Sequence, residues 1–156
     1  MVRHIINVSL TEGDRMRIFI GGSKMLKALT PCMIRALEWV CERDYEVLVG
    51  DCFGADKLVQ EYLHEHRYNK VKVYASGQRV RCNEGGYPVV SVTAAGKSGF
   101  EFYRQKDIAM SLAADHALMF WDGVSKGTRC NIEDMERQEK FTAVICYNTN
   151  KSKNQD

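Results

Sequence analysis

No stretch of this sequence runs to 18 consecutive apolar residues, so nothing in it reads as a membrane-spanning helix. The amino terminus, Met1 to Leu10, has an apolar patch too short for a signal-peptide core and no small-residue cleavage site, which argues against export. Paired cysteines are missing as well. The six cysteines, Cys32, Cys41, Cys52, Cys82, Cys130 and Cys146, form no CxxC pair and share no metal-type spacing with the four histidines, His4, His64, His66 and His116. They read as reduced thiols of a cytoplasmic protein, and neither a metal nor a separate cofactor is expected. Charge excess of either sign is lacking too. A net charge of +2 with 27% charged residues disfavours a general polyanion binder, so nucleic acid and anionic membrane are not expected partners.

What is present is a chain of 156 residues, 45% hydrophobic, long enough for one domain with a real core. That domain is expected over residues 1–150, with 151–156 as a polar tail. Five short segments rich in Val, Ile, Phe or Tyr read as buried strands: Arg17–Ile20, Glu46–Val49, Lys70–Ala75, His116–Trp121 and Phe141–Tyr147. Helical patterns lie between them. The first, Pro31 to Arg43, starts on Thr30 as N-cap with Pro31 at the first helical position, and puts Ile34, Leu37, Val40 and Cys41 on one face. A second runs from about Ala55 to His66 with Leu58, Val59, Tyr62 and Leu63 inward. The third, Gly99 to Ala114, carries Phe102, Tyr103, Ile108, Met110 and Leu112, and the fourth spans Gly127 to Lys140.

Strict alternation of strand and helix predicts a Rossmann-like three-layer α/β/α sandwich around a mainly parallel, five-stranded sheet of order 3-2-1-4-5. Val2–Leu10 is expected to add an edge strand or hairpin. Gln78 to Ser98 breaks the alternation with three glycines, Pro88 and a short Val89–Thr93 run, so it is either a long excursion over the sheet edge or a small hairpin.

Ligands of open α/β sheets lie beyond the carboxyl ends of the strands, where connections leave to opposite faces. For this order that is the gap between the first and fourth strands. Those strands end in Gly21-Gly22-Ser23-Lys24 and Trp121-Asp122-Gly123-Val124-Ser125-Lys126-Gly127-Thr128, the turns richest in glycine, hydroxyl and lysine. Glycines bring backbone N–H groups close, hydroxyls add donors, and the dipole of the following helix favours an anion. A phosphate is the expected cargo.

The second strand ends in Gly50-Asp51 with Gly54-Ala55-Asp56, where a carboxylate can accept hydrogen bonds from sugar hydroxyls or a base edge; for Asp56 a dipole-stabilised first-turn residue is the alternative. Arg104 is placed to complement a second phosphate, whereas Lys106 reads as solvated surface charge. Trp121 either stacks on a base or fills the strand end. Neither GxGxxG nor the Walker pattern is present.

Gly21-Gly22-Ser23, Val49-Gly50-Asp51, Gly54-Ala55-Asp56, Lys106-Asp107 with Met110, Ala114-Asp115, and Trp121-Asp122-Gly123 with Ser125 to Thr128 together resemble the SLOG superfamily (LOG- and DprA-related). The likeness is nearest to its small stand-alone bacterial and phage members with a GS…GxxxGAD…WDGxSxGT signature, and it covers about Arg17 to Tyr147. It implies a domain that binds a nucleotide or nucleotide-derived ligand, used as a sensor, a DNA-processing module or a nucleoside-monophosphate glycosidase. Gly21 to Ser23 and Ser125 to Thr128 would then contact phosphate, and Gly54 to Asp56 would flank sugar or base. Lys24 stands where many members have arginine, which keeps the charge and loses the bidentate fork. LOG-type phosphoribohydrolases and the similar deoxyribosyltransferases carry glutamate three residues after the threonine. Here that position is Asn131, which can bond a ribose but cannot act as a carboxylate. Glu133 lies about 200° further round the helix, leaving Asp56 and Asp122 as candidate catalytic groups. Related folds often dimerise, so a homodimer through the exposed faces of the third and fourth helices is the partner arrangement considered.

Overall fold

The structure, a computed structural model, describes residues 15–148; the edge strand or hairpin expected at Val2–Leu10 and the 151–156 tail lie outside them. Six strands, β1 (Arg17–Gly22), β2 (Glu46–Gly50), β3 (Val71–Ser76), β4 (Val89–Val92), β5 (His116–Trp121) and β6 (Phe141–Cys146), form one sheet of order β4-β3-β2-β1-β5-β6. Every pairing is parallel. The four helices among the described residues are α1 (Pro31–Glu42), α2 (Ala55–Glu65), α3 (Gly99–Ala113) and α4 (Lys126–Arg137).

The start of α1 follows from local chemistry: Thr30 is extended, its hydroxyl accepts from Met33 N at 3.3 Å, and Pro31 sits where no intrahelical donor is needed. Met33, Leu37 and Val40 then point at the sheet. With Val59 and Leu63 of α2 they pack on Ile18, Ile20, Val47, Val49, Leu118 and Phe120. On the opposite face Met110 of α3 and Met135 of α4 cover Phe19, Leu48, Ala117 and Met119. Successive strand residues therefore bury alternate side chains into two different cores, and β2 is buried at all five positions.

The strand order among the five sequence-predicted strands is as expected, but the sheet has a sixth member. Val89–Val92 is neither a hairpin nor a bare loop: it pairs parallel to β3, Val73 opposite Val89, after a helix-free connection over residues 77–88. The inward stripe expected for α3 is also corrected. Only Met110 of that set is buried, while Leu112 is 66% and Tyr103 43% exposed. The buried face of α3 is instead Lys106, Met110 and Ser111.

On the α1 side, β6 has no described helix above it, which leaves an apolar groove of about 400 Å³ lined in part by Trp39, Tyr45, Phe141 and Ile145. The carboxyl ends of the strands carry a different kind of concavity.

Candidate functional site

Because β1 and β5 are neighbours, their carboxyl ends deliver two turns to one place. Ser23 N donates to Phe120 O at 3.1 Å, and Ser23 Oγ to Asp122 Oδ2 at 3.3 Å, across 99 residues of chain. The other oxygen of Asp122 accepts from Val124 N at 3.0 Å and Ser125 N at 2.7 Å, folding its own turn around a side-chain acceptor. Partial burial pushes the Asp122 carboxyl up, but the bonds from Ser125, Val124 and Ser23 outweigh it and hold the group below its ordinary value. Asp122 thus stays anionic at neutral pH and ties the two turns together.

The Ser23–Lys24 turn is shaped from behind by the start of α2. Ala55 N donates to Ser23 O at 3.0 Å, and Gly54, at φ 74°, passes so close that a Cβ there would lie 2.3 Å from the Lys24 carbonyl oxygen. Only glycine accepts both that torsion and that contact.

In front of the turns opens a cleft of about 670 Å³. It brings together Gly21, Gly22, Ser23 and Lys24 from β1 and its turn, Asp122, Ser125, Lys126, Gly127, Thr128 and Asn131 from the last turn and α4, and Asp56 and Arg104 from α2 and α3. Gly50, Asp51, Gly54, Ala55, Trp121 and Gly123 do not line it. Trp121 donates its indole N–H to Ser125 O at 3.1 Å, bracing the turn from the strand end. Asp51 is 1% exposed and its carboxylate is taken by Arg81, through the backbone N–H at 3.0 Å and the guanidinium at 2.8 Å. The 77–88 excursion is thereby pinned to the end of β2, and Arg81 reaches the cleft.

Three acidic or basic groups crowd the floor. Asp56, 7% exposed, lines the cleft and accepts from Cys52 N at 3.1 Å. Burial is the main reason its carboxyl is pushed up to about 7; Asp107 and Asp51 add to the rise, and Lys106 and the Cys52 bond oppose it. Lys106 is not the solvated charge expected from sequence. It is 5% exposed, and its ammonium donates to Asp107 Oδ1 at 2.6 Å. Burial alone would depress it, but Asp107 and Asp56 hold it above its ordinary value. Gly50 makes the room: a Cβ there would lie 2.5 Å from Asp56 Oδ2 and 3.1 Å from Lys106 Nζ.

At the other wall the first turn of α4 points into the cleft. Its N-cap is Ser125, yet the side chain makes no capping bond, and the turn contains no acidic residue. The N–H groups that begin a helix have no intrahelical partners, and they carry its positive dipole end. Ser125 Oγ, Asn131 Oδ1 and Arg104 Nη1 are buried and find no hydrogen-bond partner among the described residues. Arg104 is held by Asp134, Nη2 to Oδ2 at 2.6 Å, which leaves its second amino group free to serve a ligand. Among the described residues no group of three or more His, Cys, Asp and Glu is placed to hold a metal ion. None of the described helices is long and apolar enough to cross a membrane.

Arg81, Cys52, Phe100, Tyr103 and Lys106 also line the cleft and were not assigned to it from the sequence. A basic residue in an irregular loop and two aromatics early in a helix carry no local signal of a shared site. Their common feature is attachment to strand ends that topology alone brings together.

No family model matches the chain, and no curated protein matches it. Its fold is similar to that of DNA processing protein A from Helicobacter pylori, whose structure is described in terms of its single-stranded DNA binding mode. The two share 13% identity with a TM-score of 0.65, over 86% of this chain and 67% of that one.

Proposed function

We propose that the protein binds a nucleotide or nucleotide-derived phosphorylated ligand in the cleft at the carboxyl ends of β1 and β5, as a SLOG-type ligand-binding or sensor domain. The observation that carries this reading is the set of buried, partnerless polar atoms, Ser125 Oγ, Asn131 Oδ1 and Arg104 Nη1, lining one cleft with an uncapped helix start. Leaving such atoms without partners costs about 1–3 kcal/mol each, and a phosphorylated sugar supplies both the acceptors and the hydroxyl donors they lack. Phosphate oxygens would take the N–H groups of Lys126 to Thr128 and the hydroxyls of Ser125 and Thr128. Ser23 and Lys24 face them from β1.

Combining Ser125→Ala with Thr128→Val is expected to weaken binding of a nucleoside 5′-monophosphate by about 1–3 kcal/mol in isothermal titration, with the unfolding midpoint nearly unchanged. Equal affinity in the double variant would remove the phosphate role of this turn.

A second reading, hydrolysis of the N-glycosidic bond of a nucleoside 5′-monophosphate, is favoured by one group. Asp56 is a buried carboxyl in the cleft whose pKa of about 7 suits proton transfer at neutral pH. Release of free base by the wild type, abolished in Asp56→Asn, would establish it. Binding without release leaves the first reading standing.

A further inference from the structure

The cleft holds more than a phosphate needs. On the first turns of α3, Phe100 and Tyr103 stand three residues apart, on one side of the helix, and both line the cleft. The two residues are 40% and 43% exposed, and neither belongs to a core cluster. Each already has a cation over one face: the Arg81 guanidinium carbon lies 4.0 Å from the Tyr103 ring centre, and Lys126 Nζ 4.4 Å from that of Phe100. One cation comes from the excursion and the other from the phosphate turn. The two rings thus stand between the two sides of the cleft, each under a cation, and the one over Tyr103 is itself held. Arg81 is fixed through the buried carboxylate of Asp51, and the excursion behind it by Gln60, whose amide donates to Gly50 O at 2.8 Å and Cys82 O at 3.2 Å and accepts from Glu84 N at 2.9 Å.

We propose that Phe100 and Tyr103, with Arg81 as the backing cation, are the seat of a planar nucleobase, so that the cleft takes a nucleoside phosphate with its base at α3 and its phosphate at α4. This seat rests on the phosphate reading above and adds the determinant that separates a nucleotide from a plain sugar phosphate. Asn131, 6% exposed, lines the same cleft with a side-chain oxygen that has no partner among the described residues, an atom the phosphate reading already draws on. A flat heteroaromatic ring gains dispersion and electrostatic attraction from aromatic faces whatever its edge pattern, so stacking sets the preference for bases as a class. Trp121, the aromatic that the sequence offered for this role, is outside the cleft and engaged with Ser125.

The test is calorimetric titration of the whole chain with AMP, GMP, CMP and UMP, each against ribose 5-phosphate. Wild type is expected to prefer the nucleotides by roughly ten- to hundred-fold, the scale of one stacked base. Phe100→Leu with Tyr103→Leu should bring nucleotide affinity down to that of ribose 5-phosphate and leave ribose 5-phosphate binding unchanged. Tyr103→Phe, which keeps the ring, should retain the preference. Since both residues are two-fifths exposed, thermal unfolding of each variant is expected to match wild type within a few degrees, about 1 kcal/mol for a domain this size. Wild type that binds ribose 5-phosphate as tightly as any nucleotide, or a double leucine variant that keeps its preference, overturns the seat while the phosphate reading stands. Failure of all five probes to bind removes both.

Discussion

Asp56 carries the sharpest electrostatic conflict in the molecule. Its carboxyl is buried beside Lys106, which already serves Asp107, and its pKa of about 7 stands above the value of 3.8 expected in an unfolded chain. Between those two values the folded state holds a proton that the unfolded state has released. The contribution of this one group to stability therefore declines as pH rises from about 4 to about 7 and is flat on either side. The shift corresponds to on the order of 4 kcal/mol. Asp56→Asn, which cannot ionise, is expected to flatten this slope and to be the more stable protein above pH 7, measured by urea unfolding across pH 4 to 8. Little of this was legible beforehand. A glycine at position 50 announced a turn, but that it exists to clear space for a carboxylate and an ammonium is visible only when β2, α2 and α3 are assembled. A lysine inside an amphipathic helix reads as surface for the same reason: its burial is decided by what lies across from it.

Elements were far more legible than their partners. Thr30 with Pro31 announces α1 because capping is a local bargain between a hydroxyl and the next backbone N–H groups. The order expected for the five longer strands is the one observed, although right-handed crossovers narrow the choice without fixing it. β4 escaped because it has only four residues, alternately exposed, and reaches its parallel neighbour without the helix that usually marks such a crossing. Its excursion is held at long range, by Asp51 to Arg81 and by Gln60, neither of which any window of sequence connects. Gln60→Leu should strand the carbonyls of Gly50 and Cys82 and the amide of Glu84. We expect a loss of about 2–4 kcal/mol in denaturant unfolding, together with faster hydrogen exchange at residues 82–84.

At the scale of the whole molecule, likeness of fold to a DNA processing protein does not transfer its ligand. The net charge is +2, and three of the five cleft cations, Arg81, Arg104 and Lys106, are each matched by an aspartate, leaving Lys24 and Lys126. The field available to a long polyanion is correspondingly small. Fluorescence anisotropy with a labelled single-stranded oligonucleotide should show weak binding and a shallow salt dependence, on the order of two released counterions or fewer. A steep dependence with tight binding at physiological salt would make a nucleic acid, rather than a free nucleotide, the partner to pursue.

The central strand also dictates a timetable. β1 sits between β2 and β5, and its register with β5 joins Ile18 to His116, so one whole edge of the first strand waits for a segment synthesised about 5–20 s later. During that interval the nascent sheet presents unpaired amides and carbonyls along its middle, the state in which strand edges recruit the wrong neighbour. The turn that brings Asp122, Ser125 and Thr128 to the cleft comes only with β5, so a stalled or truncated chain would be sticky well before it could hold a ligand.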